Sequence, residues 1–189
     1  MNTIAKKGIL LFYILAISSI STAQEYKQIN LDIDLITEKT KGILICNPNN
    51  PTGYVYSRDE IKILVKIVKK HNLFLIADEV YREFTYENTC HTSILKFSEI
   101  QKNAIVIDSV SKRYSMCGAR IGCIISKNAE FISTAMKFAQ ARLSHQTLAQ
   151  IASTAAMDVG EEYFDSVINE YNERRKTLIK GLNEIPGVK

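Results

Sequence analysis

The sequence predicts an α/β domain, a three-layer α/β/α arrangement with a mostly parallel sheet. Three observations predict it. Short apolar runs of four or five residues recur along the chain, an amphipathic helical stretch separates the first two, and polar or turn-forming residues bound every run. The runs are nearly continuous rather than alternating, which suits strands covered on both faces of a parallel-type sheet.

Taken in order, the first run is Ile43 to Cys46, followed by the turn-forming segment Asn47 to Gly53. A helix is expected from Arg58 to His71, because Ile61, Leu64, Val65 and Val68 recur on one stripe. Ser57 stands at its N-cap with Glu60 three residues on, the signature of a capping box. Leu73 to Ala77, Ala104 to Asp108 and Ile121 to Ile125 supply three further strands. Beyond Ser126 the spacing predicts helices over about 128–141, 146–158 and 161–184, the last stopped by Pro186 and Gly187. In that last helix Tyr163, Phe164 and Val167 are expected to face a core, and Glu173-Arg174-Arg175-Lys176 to form a solvated face.

Two N-terminal segments stand apart. In residues 1–23, Lys6 and Lys7 precede the apolar run Gly8 to Ile20, and Ser21-Thr22-Ala23 offers small residues at a cleavage point, the layout of a secretory leader. That run is too short to cross a bilayer, which demands about 20 residues, so no stable membrane span is expected. Residues 24–42 read as a connector with a short apolar patch at Leu31, Ile33, Leu35 and Ile36. With no internal repeat or low-complexity linker, residues 43–189 read as one domain.

Composition excludes several classes. A chain that is 46% hydrophobic and 23% charged can bury a core and is not disordered. Its 24 basic and 20 acidic residues give a net charge of +4 without a basic block, so nucleic acid is not an expected partner. Cys46, Cys90, Cys117 and Cys123 form no C-x-x-C pair and have no histidine at metal-ligand spacing. They are expected to be reduced, mostly buried thiols without a metal, with Cys90-His91 in a surface loop.

The chemistry gathers at strand ends. Asp78 directly follows an apolar run, at the carboxyl edge where open α/β sheets place their ligands, with Tyr81 three residues on. Alone, a strand-end aspartate is more often a cap. Ser109 and Ser111, two apart on a segment expected to be extended, can turn both hydroxyls toward one anion beside Lys112. Arg120 can return to the same anion as a bidentate partner. In Asn47-Pro48-Asn49-Asn50-Pro51-Thr52-Gly53 the prolines fix φ and the glycine frees it, giving a shaped loop able to turn the Asn50 amide inward.

Together, the Asn47–Gly53 loop, Asp78-Glu79-Val80-Tyr81, and Ser109-x-Ser111-Lys112 with Arg120 and Gly122 resemble the class I and II aminotransferases, fold type I pyridoxal-phosphate enzymes. Within that family the chain is most similar to aspartate aminotransferase-type bacterial enzymes. The likeness runs from about Leu31 to Lys189 and covers the central part of a cofactor-binding large domain, with segments missing at both ends. It implies pyridoxal 5′-phosphate as cofactor and transfer of an amino group from an amino acid to a 2-oxo acid, of the aspartate/2-oxoglutarate type. Lys112 would be the Schiff-base lysine and proton shuttle, its pKa lowered. Asp78 would pair with the protonated pyridine nitrogen. Tyr81 and Asn50 would hydrogen-bond the ring oxygen, and Ser109, Ser111 and Arg120 would hold the phosphate. A homodimer and a cytoplasmic location are implied as well, against the export that the leader suggests. Two alternatives stay open, a non-catalytic truncated remnant and another fold type I enzyme such as a C–S lyase, because the lysine, aspartate and tyrosine do not choose among reactions.

Overall fold

The computed structural model describes residues 35–188; the leader and most of the connector lie outside them. Four strands form one sheet in the order β1 (Gly42–Cys46), β2 (Phe74–Asp78), β3 (Ala104–Ser109) and β4 (Gly122–Ile125). β1, β2 and β3 are parallel, with Cys46 beside Asp78 and Asp78 beside Ile107. Their carboxyl ends therefore share one edge of the sheet. β4 runs antiparallel to β3, with Ser109 opposite Gly122. The sheet is thus mostly parallel, as expected, but the expectation that Ile121 to Ile125 forms a fully covered parallel-type strand is corrected. All four β4 residues are exposed.

One face of the sheet carries the core. Ile43 and Ile45, Leu75 and Ala77, and Ala104 and Val106 point to the same side, where they meet Ile61, Leu64, Val65 and Val68 of α1 (Arg58–His71). Ile94, Phe97 and Ile100, from two short 3-10 turns, close the same cluster. On the opposite face α3 (Ala129–Arg142) reaches the sheet through Phe131, whose ring lies 6.1 Å from that of Phe74. α3 and α5 (Glu161–Asn183) bury none of their residues, and α4 (Thr147–Ala155) buries only Ser153. Tyr163, Phe164 and Val167 are consequently half-buried rather than a core stripe. α5 instead leans on the segment after β2, with Tyr171 edge-on to Phe84 at 5.6 Å and Arg175 bonded to Glu87 at 2.7 Å.

The capping box forms as read. The Ser57 side chain accepts from the Glu60 amide at 3.3 Å, and Glu60 accepts from the Ser57 amide at 2.7 Å. Glu60 also accepts from the Tyr54 hydroxyl, which ties the helix start to the preceding loop. Ser57→Ala is expected to lower unfolding stability by about 1 kcal/mol in urea titration, the usual loss of an N-cap acceptor. Unchanged stability would mean that Glu60 and Tyr54 hold this end unaided.

The cysteines depart from expectation: Cys90, Cys117 and Cys123 are exposed and Cys46 is half-buried, all of them free. His91 departs in the other direction. Its side chain is only 9% exposed and lies 3.7 Å from the buried Glu79 carboxylate. Among the described residues, no helix is long and apolar enough to cross a membrane.

Candidate active site

The loop after β1, the end of β2 and the end of β3 meet because their strands are parallel and adjacent. Asn47 anchors the first of these: its amide donates to the Asp78 carbonyl at 2.9 Å, and its side-chain oxygen accepts from the Tyr56 amide at 3.0 Å. Asn49 organises the turn, its side-chain oxygen accepting from the Thr52 amide and hydroxyl while its backbone carbonyl accepts from Gly53. Gly53 has φ of 70°, the left-handed region that favours glycine. The Asn47–Pro48 and Asn50–Pro51 bonds are both cis. The outcome is an exposed Asn50 whose amide donates to the Tyr81 hydroxyl at 3.1 Å across 31 residues of sequence.

Asp78 is the last residue of β2, and its carboxylate accepts from the Val80 amide at 3.2 Å. That bond turns the chain off the strand and leaves the second carboxylate oxygen available at the edge. Tyr81 follows in the turn, and Lys112 Nζ lies 5.5 Å from the centre of its ring. A cation over a phenol ring in this way is attracted by the ring's quadrupole.

Lys112 belongs to α2 (Val110–Arg113), a single turn. The Ser109 hydroxyl caps it, accepting from the Ser111 amide at 3.2 Å. Ser109 is extended but Ser111 already lies in the helix, so the expectation of two hydroxyls on one extended segment is corrected. The pair instead makes a capped helix start. Arg120 sits just before β4 with φ of 55° and donates to the Cys117 carbonyl at 3.1 Å. β4 being antiparallel, Arg120 comes to the same sheet edge as Ser109, although its guanidinium is engaged with its own loop. Gly122 is required there: a Cβ on it would stand 2.9 Å from the Asp108 carbonyl.

Protonation of the lysine also differs from expectation. The Tyr81 oxygen beside Lys112, as acceptor and as negative pole, lifts its amine above the ordinary lysine range, and Cys117 acts in the same direction. The expected lowering needs burial, and this side chain is exposed.

Sequence reasoning missed one feature. Arg82, Glu83, Asp108 and Arg113 form a closed set of ion pairs directly behind the site, with Asp108 Oδ2 at 2.9 Å from Arg82 and 2.8 Å from Arg113. Glu83 Oε1 lies 3.0 Å from Arg82 and 2.8 Å from Arg113 Nε. The last contact is an ion pair without hydrogen-bond alignment. No local pattern in the sequence signals the set, because its members come from three separate segments.

The donor set suits a phosphorylated aromatic aldehyde: one amine, one carboxylate, a phenol paired with an amide, and two hydroxyls at a helix start, all along one strand edge.

Comparison with known proteins finds a family match. The profile of the family described as aminotransferase class I and II matches residues 16–189. An aspartate aminotransferase of Thermotoga maritima is 38% identical over 157 residues, which are 82% of this chain and 40% of that protein. An aspartate aminotransferase of Bacillus sp. (strain YM-2) is 36% identical over 156 residues, 82% of this chain and 40% of that protein. Among solved structures, N-succinyldiaminopimelate aminotransferase of Mycobacterium tuberculosis superposes with a TM-score of 0.76 at 28% identity, over 82% of this chain and 42% of that one. The chain thus spans about two fifths of the length of the curated relatives it matches.

Proposed function

The chain belongs to the class I and II aminotransferases, and we propose that it holds pyridoxal 5′-phosphate and serves amino-group transfer between an amino acid and a 2-oxo acid, of the aspartate/2-oxoglutarate type. The observation that carries the reading is the meeting of Lys112, Tyr81 and Asn50 beside Asp78, at the shared carboxyl edge of three parallel strands. The aspartate aminotransferases among its relatives support the substrate class.

When bound, the cofactor supplies an electron sink for the carbanion at the substrate's Cα. The rest is the work of this chain's residues. Asp78 would pair with the protonated ring nitrogen. The Asn50 amide and Tyr81 hydroxyl, already bonded to each other, would hold the ring oxygen. The Ser109 and Ser111 hydroxyls and the Arg120 guanidinium would hold the phosphate. Lys112 would hold the cofactor through its amine and, as a free base, would take up the proton from the substrate's Cα. Pro51 and Gly53 shape the loop and take no part in the chemistry.

A homodimer and a cytoplasmic location complete the proposal. Four free cysteines support a reducing compartment.

The test is an absorbance scan of the full chain with added pyridoxal phosphate, followed by borohydride and peptide mapping. A near-visible band that borohydride abolishes, with the label on the Lys112 peptide, is the expected result. No band, or label scattered over surface lysines, would refute it. Asp78→Asn keeps the shape and removes the charge, so it is expected to weaken cofactor retention about tenfold, the weight of one charge-assisted hydrogen bond. Retention equal to the parent would remove Asp78 from the site.

A further inference from the structure

We propose that Arg82, Glu83, Asp108 and Arg113 form an ionic clamp that positions Lys112 against Tyr81. The proposal rests on the reading of Lys112 and Tyr81 given above and adds residues that never touch the cofactor.

The clamp joins three elements at once. Arg82 and Glu83 lie in the turn after β2, Asp108 in β3, and Arg113 at the end of α2. Asp108 Oδ2 is shared by both guanidinium groups, and so is Glu83 Oε1. Two positive and two negative charges balance. The Asp108 and Arg113 side chains are only 8% and 13% exposed, a depth at which charges persist only when paired.

Its members are also placed by sequence beside the site. Arg82 follows Tyr81, Arg113 follows Lys112, and Asp108 precedes Ser109. Asp108 spends its other oxygen on the Ser109 amide, at 2.8 Å. Each pair in the clamp therefore fixes the backbone next to a site residue.

α2 has need of such a fixture. One helical turn cannot sustain itself, since nucleation is unfavourable and propagation has barely begun. Ser109 caps its first residues, and Arg113 is the side chain that secures its last. Without Arg113 the end of the turn keeps only the Cys117 thiol, which donates to the Ser111 carbonyl at 3.1 Å, and the backbone bonds of the following loop, and the long exposed Lys112 side chain has a looser origin from which to meet Tyr81. Arg82 and Arg113 are thus positioning residues acting through the backbone.

The test reads the Lys112 amine directly in the full chain, without cofactor. Limited acylation with acetic anhydride across a pH series, with the Lys112 peptide quantified by mass spectrometry, gives its titration midpoint. The groups that bear on this amine are Tyr81, Cys117 and Tyr171, all raising it. Tyr81→Phe supplies the midpoint of a lysine released from the hydroxyl. Arg113→Lys, which keeps the charge and loses the fork, is expected to move the Lys112 midpoint down toward that benchmark, and so is Arg113→Gln, although loss of the neighbouring cation by itself acts upward and makes its fall the smaller one. Arg174→Gln, which removes a cation from an exposed pair with Glu170, is expected to leave it in place. A merely structural role would destabilise the fold and leave the midpoint of the folded chain alone. Should Arg113→Gln prove insoluble, Arg113→Lys decides. A Lys112 midpoint equal to or above the parent's in every soluble Arg113 variant overturns the clamp. A chain that never binds pyridoxal phosphate would leave this readout intact, so the two proposals fail separately.

Discussion

A Lys112→Ala chain is expected to yield no borohydride-fixed pyridoxal adduct at its active-site peptide, a loss of at least about 100-fold against the parent. Only an amine can make the covalent link, and at this sheet edge the described structure offers Lys112, held at 5.5 Å from the Tyr81 ring. Lys112→Arg is the sharper variant, because it keeps a cation over that ring and removes the nucleophile. It should fold as the parent does and label no better than Lys112→Ala. The pH dependence follows from the direction of the Lys112 shift. Tyr81 holds the amine protonated above the ordinary lysine range, so the reactive free base is scarce at neutral pH. Below the lysine's pKa, the rate of adduct formation should rise about tenfold per pH unit. An adduct of parental yield in either variant would assign the chemistry to another lysine.

Much of this site was legible before any coordinates. The motif residues stand directly after apolar runs, and adjacent parallel strands bring run ends together. The capping box at Ser57 and the stripe of α1 were equally plain, since both are local patterns of three or four residues. β4 was not. A run such as Gly122 to Ile125 carries no mark of direction, because the twelve residues 110–121 that link it to β3 just reach the dozen or so that a parallel return takes, usually with a full helix. α2 uses one turn of that stretch and the remainder folds back to the same edge. The ionic clamp was illegible for a different reason. Asp108 lies 26 residues from Arg82, and nothing in sequence says that a buried strand-end acid will choose that partner. The Lys112 protonation was misjudged because a lowered pKa presupposes burial, whereas this part of the fold leaves the amine open.

Acidification should cost the fold stability through His91. Burial, with help from the Arg82 and Lys96 charges, lowers its pKa from 6.5 to about 4, so the folded chain keeps this imidazole neutral. The unfolded chain takes up a proton near pH 6.5 and the folded chain does not until about pH 4. Between those values the unfolded state binds more protons, and stability falls as pH falls, by up to about 3 kcal/mol across the window. The neighbouring Glu79 works against this. Burial raises its pKa, so the folded state binds its proton first and gains stability as pH drops through that range. The net slope of the parent therefore mixes two opposed groups, and a comparison with His91→Gln separates them. Urea unfolding at pH 7 and at pH 4.5 should give the variant a stability no greater than the parent's at the higher pH. At the lower pH it should overtake the parent, because it carries no imidazole for the unfolded chain to protonate. Parallel losses in the two proteins would mean that His91 titrates normally, and that the Glu79 contact at 3.7 Å offsets the cost of burial.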